Sequence, residues 1–239
     1  SRRRQSIPDH PRCRLCLRVL VEIEARRFIF TAAHVADEAK ASKLYIGLNR
    51  LEELPFDFEL TVAPDGDRDQ DVIDFAFMPF ATDLVDKLGD ATFIPEAMIG
   101  VVEPVEGQSY TCLGYPNTKN RDPVWNATAV EGKLISYTSR GRPMSQLPAR
   151  AIAGVHVLVD RNPKYVRNPD GLRLKAGKAN GFSGGAIVDV GALGTVANVL
   201  TPAPPRLAAI FTEAHRNEKV IMGTRLDYVV KQLRAAKRL

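Results

Sequence analysis

Short β-branched and aromatic runs recur along nearly the whole chain, and they leave little room for any architecture but strands. "RVLVEI" (18–23), "RFIFTA" (27–32), "KLYIGL" (43–48), "FDFELTV" (56–62) and "DVIDFAFM" (71–78) have strand length, and several alternate. Turn clusters such as "APDGDRD" (63–69) separate them. A second set follows: "SYTCLGY" (109–115), "VWNATAVEGKLISY" (124–137), "IAGVHVLVD" (152–160), "GAIVDV" (185–190), "RLAAIFTE" (206–213) and "KVIMGT" (219–224). Only the C-terminal stretch reads as an amphipathic helix, with Leu226, Val229, Val230 and Leu233 on one face and Lys231, Arg234 and Lys237 opposite.

Two runs of about six strands and a closing helix predict an all-β fold of two antiparallel six-stranded β-barrels rather than one sandwich. Hydrophobic patterning is weakest near "EPVEG" (103–107). The expected division is therefore a basic tail at 1–16, one barrel at 17–104, a second at 105–225 and a helix at 226–239. Residues 161–179 have little apolar content and read as a long surface loop, a type that tends to be functional.

Composition excludes several classes. With 239 residues, 45% hydrophobic and 26% charged, the chain matches an ordinary globular protein. No apolar run approaches the roughly 20 residues of a membrane span, so no membrane partner is expected. The start, "SRRRQSIPDHPRCR", lacks the apolar core of a signal peptide, and its first residue, Ser1, reads as a trimmed terminus. Much of the net charge of +5 comes from Arg2, Arg3, Arg4, Arg12 and Arg14. No aromatic residue interleaves with them, so a solvated tail or cut linker is favoured over a nucleic-acid arm. The cysteines Cys13, Cys16 and Cys112 are too few and odd in number for a disulfide scaffold, which points to a reducing, cytoplasmic compartment. "CRLC" beside His10 has metal-ligand spacing, yet no second pair follows, and no metal site is assigned.

"NGFSGGAI" (180–187) sets Ser183 among Gly181, Gly184 and Gly185. A turn between strands satisfies this pattern, and so does a nucleophile on a tight loop with bare amides beside it. The second reading needs a base and an acid. "FIFTAAHVAD" (28–37) runs from an apolar strand through small residues to His34. "DVIDFAF" (71–77) places Asp74 in a strand among apolar neighbours, with Val72 and Ala76 on the same face. Such an inward carboxylate is costly unless something donates to it. Taken alone, His34 fits a core histidine and Asp74 a capped turn. His10, His156 and His215 lie in no comparable setting.

Together, "TAAH" (31–34), "DFA" (74–76) and "GFSGG" (181–185) resemble, in order and spacing, the motifs of trypsin/chymotrypsin-like serine proteases. The resemblance spans residues 17–235 and implies a double barrel that hydrolyses peptide bonds without cofactor or metal. It implies that Ser183 attacks the scissile carbonyl, His34 relays the proton, and Asp74 orients the imidazole. The Gly181 and Ser183 amides would form the oxyanion hole. Thr212 falls where a serine usually supports the aspartate. Glu213 and Ala214 would form the rim on which substrate backbone pairs, and Gly177 the pocket floor.

Departures from the family pattern matter as well. Phe182 stands where digestive members carry an aspartate for a freshly cut N-terminus, and Val35 stands where they carry a disulfide cysteine. "CLR" (16–18) replaces a small G-[ST]-G run. The first two resemble bacterial and intracellular members, which fold active or are gated by a partner or fused domain.

Two other readings remain. An α/β-hydrolase also uses G-x-S-x-G, but it needs helices alternating with parallel strands, and an acid and then a histidine after the serine. A silent protease fold acting as a protein-binding module is the more serious rival.

Overall fold

The hairpin that opens the first half turns on two residues. Val19–Ile23 (β1) and Arg26–Thr31 (β2) pair antiparallel, with Ile23 opposite Arg26. Between them Glu24 and Ala25 take positive φ, 51° and 60°, as a two-residue turn requires to match the strand twist. The structure is a computed structural model. The residues it describes are 19–40, 44–47, 51–54, 57–80, 84–85, 91–115, 125–126, 129–130, 134–143, 145, 150–161, 166–167, 181–195 and 201–239.

After β2 the chain enters a short helix, Ala33–Lys40 (α1). Leu44–Gly47 (β3) and Leu51–Leu54 (β4) pair with each other. Glu59–Leu60 (β5), Ala76–Pro79 (β6) and Ile94–Pro95 (β7) complete the first half. Its main sheet runs β5-β6-β2-β1-β7. β2 is covered on both faces. Phe28 and Phe30 pack with Val21, Phe75 and Phe77, while Ile29 packs with Ala33 and Ala36 of α1, Ala76 and Met78.

The second half comprises Ser109–Gly114 (β8), Trp125–Asn126 (β9), Ala129–Val130 (β10), Ile135–Arg140 (β11), His156–Asp160 (β12), Val166–Arg167 (β13), Ala186–Asp189 (β14), Arg206–His215 (β15) and Val220–Arg225 (β16). β9 and β10 pair with each other. The others form one sheet in the order β12-β16-β15-β14-β8-β11-β13. It curls on itself: Gly141, just past β11, bridges Val159 of β12, and the Arg142 N–H donates to Leu158 O at 2.8 Å. Tyr110, Cys112, Val157, Ile187 and Phe211 fill its interior.

The last helix, Leu226–Ala235 (α2), returns to the first half. Its Leu226, Val229 and Val230 pack in one cluster with Val19, Phe28 and Phe77 and with Leu207 and Ile210 of β15. The fold is thus mostly β with a closing helix. Two six-stranded ladders are not what the described residues show, because the first half presents a five-stranded sheet and a separate hairpin. Among the described residues of "FDFELTV" the strand is limited to the two of β5, and the strand expected from residue 71 begins at Ala76. The tail 1–16, with His10, Cys13 and Cys16, lies outside the described residues, as does most of 161–179.

Candidate active site

The first turn of α1 is met by a residue from outside the helix, and that contact organises the site. The first N–H groups of a helix need acceptors from outside it. Here two of them find acceptors on Asp74: the Ala33 N–H donates to its backbone carbonyl at 3.2 Å, and the His34 N–H to its carboxylate Oδ1 at 2.9 Å. The other oxygen, Oδ2, lies 2.6 Å from Nδ1 of the His34 ring. One carboxylate therefore caps a helix, where negative charge is favoured, and also orients the imidazole. Asp74 is 5% exposed, whereas the His34 side chain is 34% exposed, so the ring stays partly open to solvent. Burial pulls the imidazole pKa down. The hydrogen bond and charge of Asp74, joined by the charges of Glu38 and Glu213, outweigh that and leave it above the ordinary 6.5.

Asp74 does not sit in a strand. It occupies a turn just before β6 with φ of +44°, a conformation uncommon for a residue with a Cβ. The cause is Asp71, a buried side chain that sequence reasoning passed over. Its Oδ1 accepts from the Ile73 and Asp74 amides at 3.1 and 3.0 Å, an Asx-type turn that bends the chain away from a ladder. Its Oδ2 accepts from Thr61 Oγ1 and from Arg68 Nη1, both at 2.5 Å. Arg68 also donates to Asp37 of α1 at 2.7 Å, tying the turn to the helix that carries His34. The signal available in sequence was D-x-x-D, the spacing of an aspartate that caps amides two and three residues on.

Ser183 lies on the loop leading into β14. Gly181 and Gly184 flank it with φ of +96° and +80°, values that favour glycine. The Gly185 N–H donates to Phe182 O at 2.9 Å, and Gly184 N–H to Phe211 O at 2.9 Å, closing the turn against β15. Among the described residues, no carbonyl accepts from the Gly181 or Ser183 amides. The Ser183 hydroxyl donates to Thr212 O at 3.3 Å, and no hydrogen bond joins it to His34 among the described residues. Phe182 is buried against Phe211 with ring centroids 5.7 Å apart. That contact accounts for an apolar residue at this position.

Thr212 is a bulge in β15, at a shift in the β15–β16 register. Its hydroxyl donates to Met222 O at 3.2 Å instead of to the Asp74 carboxylate. The support expected of it comes from Asp71 and α1. On its β14 side the ladder stops at Ile210. Glu213 and Ala214 therefore pair with β16 on one side and with no strand on the other among the described residues. The Glu213 carboxylate lies 3.0 Å from Arg150 Nη1. His215 Nε2 is 3.1 Å from its second oxygen but lacks hydrogen-bond alignment, so Arg150 is the firmer partner. Gly177 lies outside the described residues. Cys112 is buried and unpaired, and burial pushes its thiol pKa up, which leaves it inert. Among the described residues no group of three His, Cys, Asp or Glu could hold a metal ion, and no helix is long and apolar enough to cross a membrane.

The chain is similar in structure to a Glu endopeptidase solved in complex with MPD, with a TM-score of 0.50 and 13% identity over 92% of this chain and 89% of that one. The fold fits the chymotrypsin-like type. Further similar structures are the serine protease domain of the Sesbania mosaic virus polyprotein (TM-score 0.46, 14% identity, 90% and 84% coverage) and a catalytically inactive tobacco etch virus protease complexed with substrate (0.35, 11%, 87% and 76%). At such identities the likeness concerns the fold alone. No protein-family model matches the chain, and no curated protein matches it.

Proposed function

We propose that this chain is a serine endopeptidase of two-barrel, chymotrypsin-like architecture. Its halves divide near residue 104, and it acts in the cytoplasm on protein or peptide substrates. The observation that carries the reading is the double grip of the buried Asp74 carboxylate on the backbone and the ring of His34. Holding Nδ1 protonated leaves Nε2 free to take the proton of Ser183 Oγ as it attacks the scissile carbonyl. The imidazolium then protonates the leaving amine, and water repeats the sequence on the acyl-enzyme. The Gly181 and Ser183 amides receive the oxyanion, each such donor being worth about 3 kcal/mol of barrier. Substrate backbone pairs beside Glu213 and Ala214.

The long contact of Ser183 with Thr212 O supports a second reading, in which the fold is silent and binds protein partners. At 3.3 Å that bond is weak for a hydroxyl donor, and catalytic hydrogen bonds often tighten only once substrate is bound. A peptide library digested by the purified protein decides between the two. Specific cleavages that vanish in Ser183→Ala support the peptidase. Intact peptides, or equal cleavage by the variant, reject it.

A further inference from the structure

Resting on that reading, we propose that His156 is a positioning residue: from the second half it grips the loop that aims Asp74 at His34. His156 opens β12 and is 1% exposed. The Ile152 N–H donates to its Nδ1 at 2.8 Å, so that nitrogen carries no proton. The proton therefore sits on Nε2, which donates to the carbonyl of Val72 at 2.7 Å. The carbonyls on either side are held from the same half. Arg150 Nη2 donates to Asp71 O at 3.2 Å, and Thr224 Oγ1 to Ile73 O at 2.5 Å. His156 and Thr224 are opposite each other in the β12–β16 pairing, so their two donors stand side by side.

Three consecutive carbonyls of a first-half loop thus accept from three side chains of the second half. The next residue is Asp74, whose positive φ persists only where its surroundings over-determine it. The sheet that receives the Ser183 loop therefore also sets the direction of the carboxylate that holds His34. Burial lowers the His156 imidazole pKa, and the nearby Arg150 charge works in the same direction.

Two substitutions separate the bonds. In His156→Gln the amide nitrogen reaches Val72 O, but nothing accepts from Ile152. In His156→Asn the oxygen replaces Nδ1, but no donor reaches Val72. Misplacing a catalytic group by about 1 Å can cost about 10²-fold in rate. That loss is expected in kcat for Asn, with KM little changed, and Gln is expected to restore most of it. By NMR, His34 is expected to keep its raised pKa in Gln and to fall toward the ordinary value in Asn. Thr224→Val removes the neighbouring donor at nearly constant volume and is expected to shift both readings as Asn does. Equal kcat and equal His34 titration in Asn, Gln and wild type, or no change in Thr224→Val, overturn the proposal. If no form cleaves any peptide, the hydrolytic reading fails, while the His34 titrations still decide whether His156 positions Asp74.

Discussion

Asp74 holds His34 at two points, through the ring Nδ1 at 2.6 Å and through the backbone N–H at 2.9 Å. The second bond meets the first turn of α1 and the first sets how the imidazole faces, so a single carboxylate fixes both the helix and the ring. Asp74→Asn keeps the shape and an oxygen for the backbone N–H. Its amide group, however, turns a donor toward Nδ1 and favours the wrong tautomer. Turnover is expected to fall about 10⁴-fold with the fold intact. Steady-state rates and circular dichroism on the variant check this, and a fall below tenfold contradicts the assigned role.

The raised pKa of His34 fixes the direction of two pH effects. A base must be neutral to act, so activity is expected to rise with pH through a midpoint above 6.5. For stability, a pKa higher in the folded than in the unfolded state means the folded form binds the extra proton. The His34–Asp74 contribution is therefore complete below about 6.5 and is lost as pH rises through the folded value. His156 runs the other way: its lowered pKa gives stability that is complete above about 6.5 and is lost as pH falls. Rate profiles with NMR titration of both rings test this, and a flat rate from pH 5 to pH 9 would falsify the role of His34.

The Ser183 loop rests on a close approach between Gly114 and Phe182. A Cβ at residue 114 would stand 2.5 Å from Phe182 Cδ1 and 3.0 Å from its Cα. The ring is buried and cannot swing clear, so Gly114→Ala pushes on the backbone next to Ser183. Overpacking of this kind costs typically about 1–3 kcal/mol. Both stability and turnover are expected to drop, and adding Phe182→Ala is expected to recover part of each. Thermal melts and rates on the single and double variants measure it. An unchanged melting point in Gly114→Ala contradicts the packing account.

The long β-branched runs of the second half were legible because β15 and β16 are buried strands whose composition matches their environment. α1 was not. Its residues are small and mixed, and its cap arrives from forty positions away, which no local pattern contains. The β1–β2 turn uses Glu24 and Ala25 in place of the Asn-Gly or Asp-Gly that usually signals a hairpin. Asp74 read as a strand residue because Val72 and Ala76 mimic alternation, although the carboxylate of Asp71 bends the chain there. The motifs TAAH and GFSGG pointed to His34 and Ser183 themselves. Of the supports of the Asp74 turn, that of Asp71 is local and shows in the sequence only as D-x-x-D; those of His156 and Thr224 join segments 84 and 151 positions apart and left no trace in any one stretch.

In the proposed mechanism Ser183 is a nucleophile activated by His34, and covalent labelling reads that activation. A fluorophosphonate probe incubated with the intact protein, followed by peptide mass analysis, is expected to modify Ser183. Labelling is expected to disappear in Ser183→Ala and to slow sharply in His34→Ala, since triad knockouts cost about 10⁶-fold in turnover elsewhere. A protein that stays unlabelled at neutral pH, or that labels equally well without His34, contradicts the account.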